Sequence, residues 1–278
     1  MTNEISEADI AFWRTWIGKS QTEEQYLDAE SLRKYAAALG EPLDVEAQFP
    51  SLGHWAWFLP IVSRGDLGVD GHPAKGGFLP PVSLPRRMFA AARIEFTHPL
   101  ETGRPARRTE TVADVRHKSG RSGDLVFVEV TAELEQAGRC CISERRTFVY
   151  RAAGGTVPPI AETDLGPAAP GSVWQPNEVD LFRFSAATFN GHRIHYDLEY
   201  SRNVEGYAGL VVHGPFTASK LFSFALEQSE QDIRAFEFRA QAPILVGQPI
   251  RFEQGSDPTL VLARRCDGEV AMQATIEF

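Results

Sequence analysis

Apolar positions along the chain change period several times. Over residues 5–17, Ile10, Phe12, Trp13, Trp16 and Ile17 crowd into a segment that reads as a short helix, its tryptophans packed on the main body. Over 22–39 the recurrence of Leu32, Tyr35, Ala36 and Leu39 predicts an amphipathic helix. Thr22 and Gln25 have the spacing of a capping box at its start, and Gly40 closes it. From 41 to 85 the periodicity gives way to Pro, Gly and aromatic residues, as in QFPSLGHWAWFLP and GHPAKGGFLPPVSLP. Long loops of this kind often form pocket walls. His54, Trp55, Trp57 and Phe58 would suit such a wall, and would equally suit a loop packed by its own aromatics.

From Arg93 to Tyr150 the pattern becomes alternating and β-branched, in RIEFTHPL, RRTETVADVRH, DLVFVEVTAEL and CISERRTFVYR. The turn-rich stretch Lys118 to Asp124 joins two of these runs as a hairpin, which implies an antiparallel sheet. Residues 152–178 are rich in Pro and Gly and poor in large apolar side chains, which predicts a linker. A short helix over DLFRFSAATFN follows, and then a helix over FTASKLFSFALEQ with Leu221, Phe222, Ala225 and Leu226 inward. Strands return from Phe236 to Phe278, broken at Gly247, Asp257-Pro258 and Asp267-Gly268.

The two halves repeat each other. Pro99, Gly103 and Pro105 have the spacing of Pro243, Gly247 and Pro249, and the run from Tyr35 to Pro42 aligns with the run from Phe184 to Gly191. The expected organisation is an N-terminal unit over 1–151, a linker over 152–178 and a C-terminal unit over 179–278. The copies differ in chemistry. After Asn190 the second copy supplies His195; after Glu41 the first offers no histidine at the matching place, and its site is degenerate. The freed space in the first copy could hold a substrate.

Composition narrows the function. The chain has 278 residues, 43% hydrophobic and 23% charged, enough for a substantial core. Its net charge of −9 argues against general nucleic-acid binding. Cys140, Cys141 and Cys266 offer neither a disulfide framework nor a metal-ligand spacing, so a reducing compartment is the natural reading and no metal or cofactor is implied. The N-terminus lacks the layout of a signal peptide, and no apolar run approaches membrane-spanning length; a cytoplasmic protein away from membranes is expected.

The chemistry concentrates between Phe184 and Pro215. Asn190 and His195 stand five residues apart in a turn-like segment, and Leu210-Val211-Val212 leads into His213-Gly214-Pro215 at the start of the predicted helix. A histidine can exchange protons near neutral pH. An asparagine cannot, but its amide can hold a water. Pro is favoured in the first helical turn, so the free Gly214 N–H at the positive end of the helix dipole is a candidate oxyanion donor.

The stretch FSAATFNGHRIHYD resembles the signature of MaoC-like hot-dog hydratases and dehydratases, the type 2 enoyl-CoA hydratase group. Ile194, His195 and Asp197 match its end. Asn190 stands where that group usually has its catalytic Asp, and His192-Arg193 replaces its Asn-Pro. This variant resembles the hydroxyacyl-thioester dehydratase type 2 branch, which includes mesaconyl-CoA and itaconyl-CoA hydratases. LVVHGPF resembles the segment entering that family's central helix, where a Gly amide forms the oxyanion hole. The resemblance implies an α+β double hot-dog, two units each with a long central helix wrapped by an antiparallel sheet. It implies a hydro-lyase acting on an enoyl-CoA or 3-hydroxyacyl-CoA thioester, with Asn190, His195 and Gly214 as the catalytic group. A covalent pair of units is compatible with a monomer or a homodimer.

Arg86, Arg87 and Arg193 are candidates to meet a substrate carboxylate or phosphate, and His213 to line the pocket or to be an ordinary strand-end histidine. Asp197 suits a turn cap. The basic run over 104–121, from Arg104 to Arg121, could meet coenzyme A or be a solvated hairpin surface. Substrates in view are mesaconyl-C4-CoA, itaconyl-CoA or a 3-hydroxyacyl thioester of fatty-acid metabolism. Two other classes compete: a hot-dog thioesterase, disfavoured by Asn190 where a carboxylate is wanted, and a non-catalytic acyl-CoA binding protein, disfavoured by retention of His195.

Overall fold

Among the described residues, strand alternation builds one continuous antiparallel sheet of ten strands. The structure, a computed structural model, describes residues 5–120, 123–169, 171–229 and 231–278. The N-terminal half contributes β1 (Ser20–Tyr26), β2 (Arg86–Phe96), β3 (Pro105–Gly120), β4 (Gly123–Gln136) and β5 (Arg139–Arg151). The C-terminal half contributes β6 (Val173–Trp174), β7 (Ala235–Ala240), β8 (Ile250–Gln254), β9 (Leu260–Arg264) and β10 (Val270–Glu277). Read outwards from the centre, the strand order β2-β5-β4-β3-β1 on one side mirrors β7-β10-β9-β8-β6 on the other. The halves join through β2 and β7, with Ala92 opposite Phe238 and Arg93 opposite Glu237. Arg93 reinforces the seam by pairing with Glu95 and Glu277, each at 2.9 Å.

The helices are α1 (Glu7–Arg14), α2 (Ala29–Leu39), α3 (Glu178–Ala187), α4 (Leu198–Asn203) and α5 (Gly214–Glu227). The repeat-related helices α2 and α3 lie together, with the Tyr35 and Phe184 rings 5.8 Å apart. Helix α5 is the long central helix of the C-terminal unit; it buries Phe216, Ala218, Leu221, Phe222 and Ala225 against the sheet. Leu226 departs from expectation: it sits on the outer side of the last turn, 38% exposed.

The first half differs from the sequence reading in two places. Residues 22–26 are not helix but the edge strand β1, with Thr22 opposite Thr109. The helix starts at Ala29, where the Asp28 side chain accepts the Ser31 N–H at 2.7 Å. Thr-Glu-Glu-Gln has capping-box spacing, but Gln21 and Gln25 reach inward, to Glu110 and to the Phe58 N–H, as alternate residues of a strand do. The N-terminal unit also has no counterpart of α5. Prolines at 50, 60, 73, 80 and 81 break up residues 41–85, which hold only 3₁₀ turns over Gly53–Ala56 and Arg64–Asp66. Tertiary pairing overrode local propensity in the first case, and proline excluded helix in the second.

The described part of residues 152–178 is laid along the C-terminal half. Thr163 N–H donates to Cys266 O at 2.8 Å, and Arg251 donates to the carbonyls of Leu165 and Gly166. Its end is β6, paired with β8. The basic hairpin is mostly paired within the sheet: Arg107 with Glu24, Arg108 with Glu23 and Glu110, Arg116 with Asp114. Arg121 lies outside the described residues.

Candidate active site

The motif loop is fixed by its own backbone. After α3, Phe189 takes a left-handed conformation (φ 50°), and Asn190 N–H turns back to Ser185 O at 2.9 Å. Asn190 Oδ1 accepts the His192 N–H at 3.0 Å, which leaves its NH₂ as the group available to a ligand. A 3₁₀ turn over Arg193–His195 follows, and Asp197 caps α4 by accepting the Tyr200 N–H at 3.0 Å.

His195 is buried, with Nδ1 2.7 Å from Val211 O. A carbonyl can only accept, so Nδ1 carries the hydrogen and Nε2 presents a lone pair. Burial lowers its pKa to about 3, the Val211 carbonyl opposing only in part, so the ring is neutral at physiological pH. His213 stacks behind it at 3.6 Å between ring centroids, with its Nε2 2.8 Å from Ser185 Oγ. Burial first, then His195 and His192, hold His213 far below the usual imidazole range.

Two cavities open around this loop. The smaller, about 380 Å³, is lined by His195, His192, Asn190, Gly214 and Arg87, among others. The larger, about 810 Å³, is walled by Trp55, Trp57, Phe58 and Phe184 over a floor that includes Arg108, Glu144 and Arg146. It lies between the two halves: Phe182, Phe184, Phe189 and Tyr196 of the C-terminal half line it together with Trp55, Trp57 and Phe58. The cavities share His72, Phe89, Asn190 and Pro215, so they meet at the motif.

The structure thus brings together Asn190, His195 and Gly214 on one cavity. Gly214 begins α5, and no hydrogen bond takes its N–H among the described residues. A side chain there would approach Phe89 O at 3.4 Å. Arg87 lines the same cavity and donates to the Pro73 carbonyl at 3.3 Å. The other candidates go elsewhere. Arg86 is buried against Glu205 at 2.9 Å and Gly154 O, and lines neither cavity. Arg193 pairs with Asp197 and lies over the Tyr200 ring at 4.1 Å. His213 is wholly enclosed and backs His195 rather than facing a ligand.

Three features of the site were not anticipated from the sequence. Arg151 lines the smaller cavity, and among the described residues neither it nor Arg87 has a carboxylate partner. Arg146 reaches the larger cavity with the buried Glu144, beside Arg108 of the basic run already considered for coenzyme A. The turn Asp70-Gly71-His72 docks against Asn190-Gly191-His192, with Asp70 O accepting the Arg193 N–H at 2.9 Å. The Gly-His-Pro run inside an over-long loop was the only signal for it. Asp70, His72 and His192 each bring a ligand-capable atom within 4.8 Å of the others. Asp70 and His72 are hydrogen-bonded to each other at 3.0 Å, and the His72 and His192 rings lie tilted by 39° with centroids 4.1 Å apart. The group is a hydrogen-bonded Asp70–His72 dyad beside the His192 imidazole.

Comparison with known proteins gives this site a context. The family described as hydroxyacyl-thioester dehydratase type 2 matches residues 52–246. The mesaconyl-C(4)-CoA hydratase of Chloroflexus aurantiacus is 42% identical over 99% of both chains. Among solved structures, a MaoC-like dehydratase from Phytophthora capsici superposes with a TM-score of 0.66 at 13% identity, covering 95% of this chain and 97% of its own. A Mycobacterium tuberculosis protein with a double hotdog fold superposes at 0.51 with 13% identity, covering 94% and 96%. These two bear on the fold alone.

Proposed function

The chain belongs to the hydroxyacyl-thioester dehydratase type 2 family, and from that premise we propose that it adds water reversibly to a short enoyl-CoA carrying a second carboxylate, of which mesaconyl-C4-CoA is the leading substrate. The hydro-lyase class follows from the family and the full-length relative. The observation that carries the assignment is the His195 Nε2 lone pair, fixed by Val211 O, on the same cavity as Asn190 and the Gly214 N–H.

The mechanism follows from those groups. The thioester oxygen accepts the Gly214 N–H at the positive end of α5, where negative charge grows as the enolate forms. The Asn190 NH₂ holds the water oxygen. His195 Nε2 takes a proton from that water as its oxygen bonds to the β-carbon. In the simplest form the same imidazole returns the proton to the α-carbon. Arg87 and Arg151 supply positive charge for the second carboxylate. The free thiols of Cys140, Cys141 and Cys266 fit a reducing compartment such as the cytoplasm.

A second reading has its own support. The aromatic cavity of about 810 Å³ is larger than a five-carbon acyl group needs, and would suit the longer chain of a 3-hydroxyacyl thioester. Incubation with mesaconyl-C4-CoA, itaconyl-CoA and a series of straight-chain enoyl-CoAs separates the two. Gain of one water by mass on the dicarboxylic substrates, lost in Arg87→Met, supports the first. Preference for long straight chains supports the second.

A further inference from the structure

We propose that His72, held by Asp70, is a second proton-transfer residue of this site, contributed by the N-terminal half. The proposal rests on the hydratase reading above and deepens it. Its starting point is a deficit. With Asn at 190, the motif loop brings no carboxylate to the cavity, and the single imidazole asked to hold the proton is a poor place for a positive charge. His195 is enclosed, and its Nδ1 rests on a peptide carbonyl that offers a dipole but no charge. Asp70, from the other half of the molecule, brings a carboxylate to His72.

The geometry places it deliberately. His72 Nδ1 lies 3.0 Å from Asp70 Oδ2, and Asp70 Oδ1 also accepts the His72 N–H at 3.1 Å. Nε2 is thereby left for the ligand, and among the described residues no hydrogen bond takes it. His72 is one of four residues that line both cavities. Its ring lies tilted against His192 with centroids 4.1 Å apart, and the His192 and His195 centroids are 5.4 Å apart. The turn is docked at its backbone: Gly71 and Gly191 approach so closely that a Cβ on Gly71 would fall 1.9 Å from Gly191 O. Arg193 adds two bonds to the same turn, N–H to Asp70 O and Nη1 to Val69 O. Side chains at 71 or 191 would push the dyad off the motif.

A carboxylate–imidazole pair can carry a proton that an isolated buried imidazole cannot. Hydration then divides into two transfers. The water O–H bond breaks towards His195 Nε2 as the oxygen bonds to the β-carbon, and the electron pair of the double bond moves to the thioester oxygen. The enolate collapses by taking the proton on His72 Nε2 at its α-carbon. His195 has gained one proton and His72 has lost one. Transfer through the intervening His192 or solvent restores the starting state. Burial lowers the His72 pKa and the Asp70 hydrogen bond opposes it, so the protonated ring is a ready donor. Asp70 acts through His72 and is a positioning residue.

The test uses the full chain and its hydrated acyl-CoA product in D₂O, with hydration rates measured alongside. His72→Gln should lower kcat by about 100-fold with KM changed less than about threefold, and should abolish exchange of the α-hydrogen. His195→Gln should lose hydration yet keep α-hydrogen exchange, because the two residues serve different atoms. Asp70→Asn should lower the exchange rate along with kcat and leave KM in place, whereas a merely structural Asp70 would change affinity and melting temperature instead. Unchanged binding of saturated butyryl-CoA confirms that each variant is folded. Wild-type kcat and exchange in His72→Gln would overturn the proposal. So would activity abolished by EDTA and restored by Zn²⁺, which would make the group a metal site. Wild-type protein that hydrates no enoyl-CoA would instead sink the hydratase reading itself.

Discussion

His195 Nδ1 and the carbonyl oxygen of Val211 stand 2.7 Å apart, and the reciprocal bond from Val211 N–H to Ile194 O is 3.0 Å. The pair ties the motif loop to the strand-like segment entering α5. It sets the imidazole tautomer and its distance from Gly214 in one stroke. His195→Ala should therefore lower kcat by about 10²–10⁴-fold, in the range of a lost acid–base group. Steady-state kinetics on an enoyl-CoA checks this; retention of a large share of turnover would remove His195 from the chemistry.

Burial of neutral imidazoles also fixes the sign of a stability effect. The unfolded His195 titrates at ~6.5, whereas burial lets the folded ring bind a proton only at about 3. Between those values the unfolded chain holds more protons, so stability is full above the upper value and falls as pH drops through the window. His192, lowered to about 2 by burial and by the neighbouring His72, acts in the same direction. The melting temperature should fall from pH 6.5 towards pH 4, and the slope should flatten in His195→Gln.

How far the sequence foretold all this depends on the range of the contacts. Asn190, His195 and Gly214 were readable because one continuous segment, α3 to α5, carries them, and its turn residues dictate the geometry. The strand runs from Arg93 and from Phe236 were readable because one buried face imposes alternation. Strand β1 was not, because Ser20–Tyr26 owes its state to pairing with β3, some 80 to 90 residues away. The Asp70-Gly71-His72 turn lay in a loop without period, and only its docking on Gly191 gives it meaning. Arg86 and Arg87 are neighbours with the same side chain, but β2 sends the first to Glu205 and the second to the cavity. Nothing local separates them.

Gly71→Ala tests that docking as a packing relationship. Gly71 has φ +87°, and a Cβ there would collide with Gly191 O at 1.9 Å. Strain and collision together should cost about 2–4 kcal/mol or displace the turn. Denaturant unfolding measures the first outcome. Ser63→Ala, in an exposed part of the same loop, should stay within about 0.5 kcal/mol.

The two halves are also tied through the core. Tyr35 of α2 shares a buried hydrogen bond with Ser219 of α5, 2.7 Å between oxygens. Ser219 keeps Pro215 O as an acceptor if the phenol is lost. Tyr35→Phe should then cost only about 1 kcal/mol. Ser219→Val leaves the phenol without its partner and should cost about 1–3 kcal/mol. Chemical denaturation of both variants ranks the two costs.

The central claim is that this cavity adds water to an enoyl thioester. The direct measurement is incubation with mesaconyl-C4-CoA in H₂¹⁸O, followed by mass analysis of the intact thioester. The account predicts one ¹⁸O-labelled water gained, in wild type and not in His195→Ala. Release of free coenzyme A with ¹⁸O in the liberated acid, or an unchanged mass across the whole set of enoyl-CoAs, would contradict it.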